Sequence, residues 1–113
     1  MSDPVTTETT NDDPMVALLA AVKTYLQITW TDTETDARLT ELINAGMDYL
    51  DRKLWETGDY TVPGYPRTLL FEFVRYGRDS ALDVFENNYR AMILAMQHER
   101  MVFAYVNPET DTV

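Results

Sequence analysis

The sequence contains no cysteine. That excludes disulfides, thiolate nucleophiles and cysteine-held zinc together. There is one histidine, His98, so a metal site built from several histidines of one chain is excluded too. No apolar run approaches the roughly 20 residues that cross a bilayer, and no transmembrane helix is expected. The glycines at 46, 58, 64 and 77 have no phosphate-loop spacing. Basic side chains are scarce: 9 Lys and Arg stand against 19 Asp and Glu, a formal net charge of −10. A chain this acidic repels nucleic-acid phosphates, which argues against direct DNA or RNA binding. Solubility is the plainest use of that charge.

What is present suits one small folded domain: 113 residues, 45% of them hydrophobic. Residues 1–13 are mostly polar and read as a disordered tail. They also lack the basic and apolar regions of a secretory leader, so folding in the cytoplasm of the producing cell is expected. Asp13-Pro14 reads as a helix start, with Asp13 capping and Pro14 at the first helical position. Met15, Leu18, Leu19, Val22 and Leu26 follow at helical spacing, which predicts a helix over 14–27. Ile28 to Thr31 is β-branched and aromatic and breaks it, with Ile28 and Trp30 expected to tuck into the core. Asp32 or Thr33 caps a second helix over 33–54, whose apolar stripe runs Leu39, Leu42, Ile43, Gly46, Met47, Leu50 and Leu54.

Residues 55–66 read as the main loop, with Pro63-Gly64 suited to the centre of a type II turn. Its aromatics, Trp55, Tyr60 and Tyr65, fit either caps on the core or anchors of an interface. Pro66 opens a third, long helix predicted over 66–99, with a core face that includes Leu70, Phe73, Val74, Gly77, Phe85, Tyr89, Met92 and Met96. Arg75/Asp79 and Glu86/Arg90 are opposite charges four apart on its exposed side. Gly46 and Gly77 lie on apolar stripes, which predicts that the second and third helices cross near them. Residues 101–113 read as an extended arm, because Met101 to Val106 is uncharged and β-prone. The fold class is therefore all-α: three main helices (14–27, 33–54, 66–99), a helical domain over 14–100 and two terminal extensions.

Little in the sequence points to chemistry. Asp32, Glu34 and Asp36 alternate as a calcium loop begins, but Ala37 stands where glycine is needed and Ile43 where glutamate is needed. A helix N-terminus accounts for those acids. His98 has no nucleophile within reach, since Ser80 lies about five turns away on the expected helix. Every candidate acid falls on a face that reads as solvated. No catalytic, cofactor-binding or metal residue is assigned, and neither an enzyme activity nor a cofactor is expected.

The stretch Leu69 to Met96 (LLFEFVRYGRDSALDVFENNYRAMILAM) carries a resemblance. Its VRYxR core at Val74 to Arg78 and the run Ala81 to Tyr89 resemble the head–tail connector proteins of tailed bacteriophages, the adaptor or head-completion family. The segments LTELINAGMDYLDRKL and ITWTDTETDARL look like that family's second helix and its lead-in, so the likeness covers residues 16–96. The resemblance implies a virion structural protein of the head–tail junction, made in the host cytoplasm. It implies a homo-oligomeric ring, of about twelve copies and monomeric in isolation, seated on the portal protein. The ring would extend the channel, let DNA pass without specific binding and receive a stopper or tail protein; no membrane is involved. On that resemblance, Met101, Val102, Phe103, Tyr105 and Val106 are the expected portal-binding arm, docking by strand addition. Trp55, Tyr60, Tyr65, Arg75, Arg78 and Arg90 are the expected ring-interface residues. The rival reading is an acidic regulatory protein, a DNA mimic or inhibitor that binds a basic partner.

Overall fold

The computed structural model describes residues 13–106, and four helices make up the fold: α1 (Pro14–Tyr25), α2 (Thr33–Leu54), α3 (Tyr65–Arg78) and α4 (Leu82–Val106). Residues 1–12 of the expected 1–13 tail and residues 107–113 of the expected 101–113 arm lie outside the described residues. The all-α class holds, and α2 has the expected limits.

Local chemistry sets each helix start. The Asp13 carboxylate accepts the Met15 N–H at 2.9 Å, and Pro14 follows at the first helical position. Asp32 accepts both the N–H and the hydroxyl of Thr35, at 3.0 and 2.7 Å, with Glu34 and Asp36 in the first turn of α2. These hydrogen bonds hold the fully exposed Asp32 carboxyl below its ordinary pKa. Gly64 precedes α3 at φ 146 and ψ 176, an extended positive-φ shape open essentially to glycine. The expected type II turn, which needs ψ near 0°, is not what Gly64 adopts.

The long third helix is two helices. Ser80 takes a left-handed conformation at φ 56, while Ser80 and Ala81 donate backwards to Gly77 and Tyr76 carbonyls. That reverse pattern closes the end of α3, and the chain turns before α4 begins. Gln27 and Trp55 end α1 and α2 in the same left-handed region. None of the three is glycine, although this region disfavours a Cβ by about 1 kcal/mol.

The break lets α4 fold back instead of running on, and it makes α3 the central element. Leu69, Leu70, Phe71, Glu72, Phe73 and Val74 are all buried, a continuous run that only a helix covered on every side shows. The covers are α1, α2 and α4. Phe85 of α4 is fully buried and meets Phe73 edge-on at 5.5 Å between ring centres, with Tyr49 and Tyr76 beside it. Ile28 is buried as expected, but Trp30 is 52% exposed: the turn after α1 aims it outward.

The α2–α3 crossing passes over both stripe glycines. A Cβ on Gly46 would stand 2.7 Å from Leu70 Cδ1 and 2.9 Å from Phe73 Cδ1. A Cβ on Gly77 would press only on the end of Leu42, at 2.8 Å, with Leu82 Cδ2 in ordinary contact at 3.6 Å. Leu70 and Phe73 are enclosed in the core, whereas Leu42 packs at its edge, half-buried, where its end has more room to give. Gly46→Ala is expected to lower stability by roughly 1–2 kcal/mol despite its better helix propensity. Gly77→Ala is expected to change it by less than about 0.5 kcal/mol. Paired urea denaturation curves check the contrast, and equal losses would contradict it.

Candidate functional site

A buried carboxylate that the sequence placed on a solvated face sits instead at the join of three helices. Glu72 of α3 is 5% exposed. Its oxygens accept hydrogen bonds from Tyr25 of α1, from Tyr89 of α4 at 2.9 Å and from Arg75 at 2.6 and 3.2 Å. Burial pushes the carboxyl pKa up, but hydrogen bonds from Arg75, Tyr25 and Tyr89 outweigh it and hold the group below its usual value. Tyr25 is 43% exposed, its ring resting on Phe71 at 5.2 Å, and its hydroxyl turns inward; desolvation and then Glu72 push its pKa to about 12. Arg75 reaches Glu72 and lies over the Tyr76 ring at 4.7 Å, so its guanidinium is engaged within the fold rather than with Asp79. The sequence did carry a signal for this: Glu72 has three apolar residues before it and two after it, in LLFEFV.

The second feature is a surface where the 55–66 loop meets the end of α4. Tyr65, Pro66, Met96 and Phe103 line a groove of about 440 Å³, with Glu56 and Arg100 bridging at 3.2 Å on its rim. Trp55, Arg100, Met101 and Ala104 line a second groove of about 230 Å³. Trp55 and Tyr65 are exposed by 57% and 64%. Trp55 thus follows α2 as its C-cap, left-handed and exposed, and is not a cap on the core.

The expected interface residues divide accordingly. Tyr60 is buried at 3%: its hydroxyl donates to Asp51 at 2.7 Å, and Gly58 N–H reaches the same carboxylate at 2.9 Å. Burial, then Asp51, drives the phenol's pKa well up. Tyr60 therefore closes the core and pins the loop, and it offers nothing to a partner. Arg78 is exposed at the end of α3, and Arg90 lines a separate groove of about 150 Å³ with Tyr49, Lys53 and Glu86. The expected strand-like arm is a correction as well. Met101 to Val106 continues α4 as helix, because each residue added to a formed helix gains a hydrogen bond, outweighing weak β preference. Met101, Val102, Phe103, Tyr105 and Val106 all remain exposed.

Among the described residues no group of His, Asp and Glu is arranged to hold a metal ion, and no helix is long and apolar enough to cross a membrane. Compared with known protein families, with curated proteins and with solved structures, the chain matches none.

The Glu72 cluster makes a pH prediction with a definite sign. Its folded pKa lies below the unfolded value near 4.3, so the stabilisation is complete above that pH and is lost as pH falls through the folded value. Glu72→Gln is expected to cost about 1.5–3 kcal/mol at neutral pH. The gap between variant and native melting temperatures should then shrink as pH is lowered from about 5 to about 3. A gap that stays constant across that range would mean that the charge of Glu72 contributes nothing.

Proposed function

We propose that this protein is a structural assembly subunit, and that its work is a phage head–tail connector's: joining a ring seated on a portal protein. The observation that carries the assembly reading is the aromatic, grooved surface of Trp55, Tyr65, Met101 and Phe103. Large apolar side chains gathered beside grooves mark partner sites in proteins of this size. Trp55 strengthens the case. A glycine would relieve the left-handed backbone there, yet an indole is held out in solvent.

The connector identity rests on the residues that resemble that family, in α2, α3 and the first half of α4. In this reading the end of α4 grips the portal as a helix laid on a groove rather than as an added strand. The acidic balance suits a channel wall from which DNA slides without sticking, since each cationic contact would strengthen phosphate binding. Ring closure needs two different complementary patches per subunit; the Trp55–Tyr65 surface is one, and the exposed Arg78 end of α3 is offered as the other.

The test mixes the protein with intact portal rings from the same source and images them by electron microscopy. A ring of added density on the narrow end of the portal is expected. Trp55→Gly should keep or raise the melting temperature while weakening binding by about tenfold or more. No density on intact portals would overturn the connector role, and tight binding to a basic protein instead would favour the acidic-inhibitor reading. Unchanged binding by Trp55→Gly would remove Trp55 from the interface.

A further inference from the structure

The outer face of α4 carries an apolar seam that its own subunit leaves uncovered. The inner face is accounted for: Phe85, Tyr89, Met92, Ile93 and Met96 pack on the core. On the opposite side Val84, Ala91, Leu94, His98, Met101 and Tyr105 are all exposed, at successive separations of seven, three, four, three and four residues. Alternating steps of three and four are the spacing of a helix-pairing seam. Its large members are far from marginal: Leu94 is 55% exposed, Met101 58% and Tyr105 85%.

The seam is symmetric about His98. Three residues to either side lie Ala95 and Met101, four to either side Leu94 and Val102, and seven to either side Ala91 and Tyr105. At the distances of three and seven, a small side chain on one arm answers a large one on the other. An antiparallel second copy, with its two-fold axis at His98, therefore sets Tyr105 and Met101 each against an alanine, while Leu94 and Val102 meet as an apolar pair. Ala91 would face Tyr105 of the second copy, Ala95 would face Met101, and Leu94 would face Val102. Large-against-small interdigitation is what close helix packing requires.

Charge favours the same occupant. Two copies of a chain with net charge −10 repel, so they meet best where acids are absent. Residues 87–106 contain one acid, Glu99, of the 19 in the chain. His98, polar at the centre, would fix register at some cost in affinity, as buried polar residues do in paired helices.

From this geometry we infer that two copies of the protein pair along the outer face of α4, antiparallel, with His98 at the two-fold axis. The pairing is tested separately from the connector reading, although it competes with it for the end of α4. Failure to pair would leave the end of α4 open to a portal, and failure to bind a portal would leave the pairing test unaffected. Because Met101 and Val102 belong to both surfaces, a paired subunit does not present them to any other partner.

Sedimentation velocity over a concentration series tests it on the full chain. The native protein is expected to move from monomer to dimer. Leu94→Glu and Met101→Glu, both at exposed positions, should stay monomeric at the highest concentration with unchanged circular dichroism. A native protein that is monomeric throughout, a dimer that survives both substitutions, or assembly that goes past the dimer without stopping there would overturn the inference. The absence of native cysteine gives a second measurement. His98→Cys should cross-link to a covalent dimer on mild oxidation, while Ala91→Cys, which faces Tyr105 of the second copy, should not. Equal cross-linking at both positions would overturn the antiparallel arrangement.

Discussion

The close approach of α2 to α3 is the constraint on which the other contacts depend. Gly46 lets Leu70 and Phe73 lie directly on the α2 backbone, and Gly77 does the same for Leu42 from the other side. With α3 drawn in that far, its remaining sides fall within reach of α1 and α4. A helix interior glycine sacrifices about 1 kcal/mol of propensity against alanine. Here the contacts of two core side chains are what it makes possible. The aromatic cluster of Phe73, Phe85, Tyr49 and Tyr76 assembles around the same crossing.

Covering α3 on every side creates a problem that the fold then has to solve. A helix with a polar residue in its middle cannot bury all its faces unless that residue is fully paired. Glu72 is that residue, and its partners come from three helices: Tyr25 of α1, Arg75 of α3 itself and Tyr89 of α4. No described buried side-chain polar atom lacks a hydrogen-bond partner. The network adds direction to a core that hydrophobic contact alone would leave free to slide, since each hydroxyl must meet one carboxylate. The Lys23–Asp36 pair at 2.9 Å ties α1 to α2 in the same manner, closer to the surface.

Much of this was legible in the residues, and the failures have physical causes. The limits of α2 were read correctly because Asp32 caps one end and the apolar stripe stops at Leu54. The α3–α4 break was missed because the apolar positions Gly77, Ala81, Leu82 and Phe85 continue a helical spacing through it. Only the left-handed Ser80 interrupts the chain, and serine carries no strong signal for that shape. Glu72 was misplaced because a one-sided stripe was assumed for a helix that is covered all round. Met101 to Val106 read as extended on β propensity, but a helix already built propagates through such residues. Tyr60 and Trp55 exchanged the roles open to them: the sequence cannot say which aromatic in a loop turns inward, and Asp51 decides it for Tyr60.

What remains after the core is satisfied is the exposed set Met101, Val102 and Tyr105 near the end of α4, apolar yet outside the core cluster. The account holds that these side chains serve association and add nothing to the stability of a single subunit. Urea denaturation of the triple variant Met101→Ser, Val102→Ser, Tyr105→Ser, at submicromolar concentration, measures this most directly. The account predicts a midpoint equal to that of the native chain, within about 0.5 kcal/mol of stability, as for surface positions. A clear fall in the midpoint would show that the end of α4 belongs to the core of its own subunit, and would contradict the account.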